Sequence, residues 1–116
     1  MNASYVAVTS VTIAVTAGIA AADLVRAKFV LANTAEVGVP SSWLPALAAL
    51  KTAGAAGLVL GLLGVRLIGI AAAAGLVLFF IGAVATHIRA RVYYNLAFPG
   101  TYLLLAVASL GLAIMG

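Results

Sequence analysis

At 116 residues the chain is one domain, residues 1–116, and its make-up of 66% hydrophobic and 7% charged residues excludes an ordinary soluble fold, where roughly 25% are charged. A soluble core this small could not bury so much apolar surface, so lipid must cover it. The net charge of +4 comes from six basic residues scattered between apolar runs, which reads as topology signalling and argues against a nucleic-acid partner. The absence of cysteine excludes disulfides, redox pairs and thiolate metal sites. One histidine and two methionines are too few for a haem or metal site within one chain, so no metal or haem is expected.

Four apolar segments run from about Ser4 to Val25, Trp43 to Leu63, Arg66 to Ile88 and Phe98 to Met115 (spans 4–25, 43–63, 66–88 and 98–115). Each has roughly the 20 residues that a helix needs to cross a hydrocarbon core about 30 Å thick. The fold class expected is therefore all-α, an integral membrane bundle of four transmembrane helices. The first segment has Ala20-Ala21-Ala22 near its end, but it lacks a basic leader and exceeds the apolar length of a signal peptide, so it reads as a span. The connection from Arg26 to Ser42 is long, and part of it is expected to extend the first helix or to lie along the membrane surface. Ser41-Ser42 before Trp43 and Pro45 reads as a cap followed by proline in the first turn. Gly64-Val65-Arg66 leaves room only for a tight turn, so spans two and three form an antiparallel hairpin.

The first span carries a polar stripe. At about 100° per residue, Tyr5, Thr9, Thr12, Thr16 and Asp23 fall within about 60° of one another. Such a stripe is expected to face the bundle interior, although threonines also serve as small packing residues in membranes. Asp23 near the membrane boundary wants a cation, and Lys51 in the second span supplies one, about 12 Å from that helix's start at Trp43. Lysine at such depth costs at least about 2.5–3.5 kcal/mol on insertion scales and normally faces a partner or a wet cavity; the competing reading is a side chain that snorkels to the interface. The third span closes Gly82-Ala83-Val84-Ala85-Thr86-His87, bringing Thr86 and His87 to the same end. The expected pocket is lined by Thr12, Thr16, Asp23, Lys51, Thr86 and His87, with Phe79, Phe80 and Tyr102 as aromatic walls. The candidates for proton transfer are Lys51, Asp23 and His87. The fourth span offers only Thr101, Tyr102 and Ser109 as polar residues and reads as mainly structural. Gly57 and Gly61 make a GxxxG pair that lets another backbone approach.

The first and third loops carry Arg26, Lys28, Arg89 and Arg91, and the opposite side offers only Arg66. That bias favours cytoplasmic loops one and three with both termini outside. Trp43 and Tyr93-Tyr94 then fall at the cytoplasmic interface.

Lysine followed by Gly54 early in the second span, the tight turn, then Gly82-Ala83 and Thr86-His87 closing the third resembles the DoxX-like membrane protein family, best from Leu50 to Arg89. The resemblance implies a compact four-helix bundle in the bacterial cytoplasmic (inner) membrane. Members of the wider group are linked to quinone-coupled sulfur oxidation and membrane redox complexes, and distant eukaryotic ones to receptor assembly or cargo export. The lack of cysteine sets this chain apart from direct thiol chemistry.

Three functions remain open. The leading one is a pocket binding a small amphiphile of quinone or isoprenoid type, with or without proton transfer; no catalytic motif decides whether it is an enzyme. The others are a non-catalytic assembly subunit of a membrane complex and a small proton-coupled exporter. Exporters of that type are built around a carboxylate deep in the first helix, whereas Asp23 lies at its end. The partners expected are the bilayer, a small hydrophobic ligand and a second copy of the chain or another membrane subunit.

Overall fold

The computed structural model describes residues 2–115, which form five α-helices: α1 (Ala3–Leu24), α2 (Lys28–Glu36), α3 (Leu44–Leu62), α4 (Arg66–Arg89) and α5 (Ala97–Met115). A short 3₁₀ turn, Ser41–Trp43, leads into α3. Helices α1, α3, α4 and α5 are each long and apolar enough to cross a membrane. The bundle is 40 Å long, enough for a hydrocarbon core of about 30 Å and part of the headgroup region. Helix α3 packs between α1 and α4, and α5 closes the ring against α4 and α1.

The interior is built mostly from residues spaced three or four apart, the spacing that keeps one face of a helix on a neighbour in an up-and-down bundle. On α1 this face is Tyr5, Thr9, Thr12, Thr16, Ala20 and Asp23, so the polar stripe does turn inward. On α3 it includes Leu44, Ala48, Lys51, Ala55 and Leu58, and on α4 Gly69, Ala73, Leu76, Phe80 and His87. Leu58, Ala73, Leu76, Phe80 and Ala106 form the central apolar cluster. Large apolar side chains also cover the outside, Leu67, Leu78 and Leu104 each at least 70% exposed, the inversion expected where the surrounding solvent is lipid.

The glycines of α3 serve the α3–α4 hairpin. A methyl group on Gly57 would meet Ala72 Cβ at 2.5 Å, and one on Gly61 would meet Gly69 Cα at 2.7 Å. The GxxxG pair therefore holds two helices of the same chain together.

Of the two readings of the long connection, a continuation of the first helix does not hold: that helix ends at Leu24, and after a break at Val25–Ala27 the chain starts a separate helix, α2. Val30 and Thr34, one turn apart, are its buried residues. Ser41 and Ser42 do not cap α3 through their side chains; they form the 3₁₀ turn, with Trp43 N–H donating to Pro40 O at 3.0 Å and Pro45 in the first turn of α3.

Candidate ligand-binding site

Asp23, Lys51 and His87 occupy the buried faces just described, Asp23 and His87 at the ends of α1 and α4 and Lys51 two turns into α3. Antiparallel packing brings all three to the same end of the bundle. Lys51 Nζ donates to Asp23 Oδ2 at 2.7 Å, and both side chains are almost completely buried. The ammonium also lies 5.4 Å from the centre of the Phe79 ring, a cation–π contact. Lys51 is thus turned inward onto a carboxylate, and the pair as a unit carries no net charge.

His87 is 4% exposed and both its ring nitrogens are engaged. Nδ1 lies 3.0 Å from Ala83 O. A carbonyl oxygen only accepts, so Nδ1 carries the proton of that bond. Nε2 lies 3.2 Å from Asn33 Oδ1, which also accepts from Asn95 Nδ2 at 3.0 Å. With the Asn33 oxygen facing it, Nε2 must donate as well, and the ring is a cation. With the Asn33 and Asn95 amides both turned, Asn33 Nδ2 donates to Nε2 and to Asn95 Oδ1, and the ring is neutral. The same heavy-atom positions thus accommodate two hydrogen-bonding assignments of His87, which differ by one proton and two amide rotations.

These contacts also explain α2. Asn33 reaches His87 and Asn95, and Glu36 accepts the Tyr94 hydroxyl at 2.6 and 2.8 Å through its two carboxylate oxygens. The carboxylate beside Tyr94 pushes the phenol pKa above its ordinary 10.0. Helix α2 is held at the end of the bundle by these polar clasps together with its buried Val30 and Thr34.

Beneath α2 lies a cavity of about 970 Å³, near the top of the range for small-molecule sites. Asp23, Lys51, Thr86, His87, Asn33 and Asn95 supply much of its polar lining, with Thr34, Glu36 and Tyr94 beside them, and Leu44, Leu47, Phe79, Phe80, Phe98 and Tyr102 supply much of the apolar wall. Phe80 stands edge-on to Phe79 at 5.3 Å between ring centres and tilted against Tyr102 at 5.6 Å. Leu50, Leu78 and Phe98 line the cavity while remaining more than half exposed on the flank of the bundle, so it opens toward the lipid side. Gly82 also lines it, with open space where a side chain would begin.

Seven of the nine residues expected from the sequence to form the pocket, Asp23, Lys51, Phe79, Phe80, Thr86, His87 and Tyr102, line this one cavity. Thr12 and Thr16 do not. Thr12 is buried against α5, its hydroxyl 2.8 Å from both Val8 O and Ser109 Oγ, a side-chain link between α1 and α5. Thr16 is equally buried and lies outside the cavity lining. Besides the expected Tyr102, the fourth span also brings Phe98 and Pro99 to the wall. Asn33, Glu36, Tyr94 and Asn95 were not legible as site residues. Val30 and Thr34, four apart, were the available signal that this loop contains a helix with one buried face.

The architecture and the buried ion pair define a small multi-pass membrane protein with a polar-ended, lipid-side cavity. Residues 7–109 match the model of the DoxX-like family, and the chain belongs to that family. No curated protein and no solved structure matches it.

Proposed function

We propose that this DoxX-like protein binds a small amphiphile of quinone or isoprenoid type, its polar head among Asp23, Lys51, Thr86 and His87 and its apolar part along Phe79, Phe80 and Tyr102. The observation that carries the reading is the cavity itself, which joins a buried ion pair and a histidine to an aromatic wall and opens on the flank of the bundle. Because Lys51 is already neutralised by Asp23, an uncharged head that both donates and accepts hydrogen bonds fits better than an anion, which would have to displace the carboxylate. His87, whose two hydrogen-bonding assignments differ by one proton, supplies a group able to give or take a proton beside such a head. Lipid extracted with the purified protein and identified by mass spectrometry tests the reading directly. A stoichiometric neutral amphiphile that is lost in Lys51→Met supports it. Bulk membrane lipid alone, identical in wild type and variant, favours the assembly-subunit reading.

A further inference from the structure

Four helices of this chain end in one hydrogen-bond pattern, in which an amide reaches back to the carbonyl five residues earlier. The bonds run from Ala27 to Ala22, Val39 to Thr34, Val65 to Leu60 and Val92 to His87, at 2.8 to 3.1 Å. The residue before each of these amides has left-handed backbone: Arg26 (φ 52°), Gly38 (φ 75°), Gly64 (φ 106°) and Arg91 (φ 57°). Glycine is the usual occupant of that position, because an L side chain there crowds the following carbonyl. Helices α2 and α3 obey this rule. Helices α1 and α4 carry arginine instead.

The local backbone does not ask for arginine. The chain's other cations show what a purely internal role looks like. Lys51 is bonded to Asp23, and Arg66 donates to Ala113 O and Ile114 O at 3.3 and 2.7 Å, closing the C-terminal end of α5. Arg26, Lys28, Arg89 and Arg91 are all exposed, and the one ion pair among the described residues is Lys51–Asp23. All four lie at the end of the bundle where α1 and α4 finish, the end that holds the cavity. Phe29, Trp43, Tyr93 and Tyr94 are exposed at this same end, the aromatic belt of a membrane interface.

We propose that Arg26, Lys28, Arg89 and Arg91 form a seat for anionic phospholipid headgroups at the cavity end of the bundle, with arginine at two left-handed positions for its charge. Aromatic side chains at the same level favour a lipid over a soluble polyanion, since they fix these cations at headgroup depth. The inference does not depend on what the cavity binds.

Trp43 is the single tryptophan and lines the cavity with Phe29 and Tyr94, so its fluorescence reports the lipids at this end. The protein is reconstituted in mixed phosphatidylcholine and phosphatidylglycerol bilayers, with brominated acyl chains carried on one lipid or the other. Phosphatidylglycerol should quench Trp43 more strongly than phosphatidylcholine at equal mole fraction, and salt should weaken the preference. In Arg26→Gly/Arg91→Gly the preference should fall, by up to about fivefold per arginine removed. The same variant should melt no lower than wild type in pure phosphatidylcholine, because glycine relieves the left-handed backbone; Arg26→Asn/Arg91→Asn should behave alike. Equal quenching by the two lipids in wild type, as charges acting only in topology would give, overturns the proposal. So does a preference that survives in both variants, or variants that lose it only by melting lower in phosphatidylcholine.

Discussion

Lys51 and Asp23, on different helices and 28 positions apart in sequence, meet at 2.7 Å with almost no solvent contact. Removing one partner leaves the other charge buried and uncompensated, which costs about 3–5 kcal/mol, whereas replacing both by apolar residues of similar volume is often neutral. Lys51→Met and Asp23→Leu should each destabilise strongly, and the double variant should recover most of the loss. Chemical denaturation of the four proteins in one detergent measures this. Additive single effects would mean that the pair is not coupled. Arg66→Gln gives the scale: its guanidinium bonds carbonyls at the end of α5 rather than lipid headgroups alone, and losing it should cost about 0.3–1 kcal/mol.

The Tyr94–Glu36 clasp makes a prediction about pH. Tyr94 donates to the carboxylate, so the neutral phenol is the form the folded state favours, and its pKa lies above 10.0. The clasp is complete below pH 10.0, the ordinary value, and is lost as pH rises through the raised folded value, because the unfolded chain gives up that proton first. Ultraviolet titration should therefore show one tyrosine ionising later in wild type than in Glu36→Gln. Coincident curves would remove the clasp as a feature of the protein in solution. Above that pH, or in Tyr94→Phe, amide hydrogen exchange in α2 should speed up while α3 and α4 stay protected.

The positive end of the bundle predicts its orientation. Arg26, Lys28, Arg89 and Arg91 share one end and only Arg66 stands at the other, which favours the cavity end facing the cytoplasm. A reporter inserted near Val37 should be active only as a cytoplasmic fusion, and one after Met115 only outside. The reverse pattern would put the cavity end of the bundle on the opposite face.

Much of this architecture could be read from residue order. The four spans follow from apolar length, and the inward turn of Thr9, Thr12, Thr16 and Asp23 follows from helical period, because bilayer and helix geometry leave few alternatives. Lys51 announced a partner by being costly where it stands. What period alone could not give is depth around a helix pair: Thr12 and Asp23 share a stripe, yet one is packed against Ser109 and the other lines the cavity. Helix α2 escaped because nine residues with two buried positions carry a weak signal and its polar hold on the bundle runs through Asn33 and Glu36, which read as loop polarity. Arg26 and Arg91 read as topology charges, and their left-handed backbone is visible only in three dimensions.

The central claim is that the cavity under α2 holds an amphiphile by its head and tail, and ligand-induced thermal stabilisation tests it most directly. A decyl-chain benzoquinone, added at about a hundred times its dissociation constant, should stabilise wild-type protein by about 2.7 kcal/mol and raise its melting temperature accordingly. Lys51→Met and His87→Ala should lose most of that shift while remaining folded. Gly82→Phe, which places a ring in the open space beside the cavity, should lose it without touching any polar group. Equal shifts in wild type and all three variants would mean that the probe only coats the lipid-facing surface, and would contradict the account.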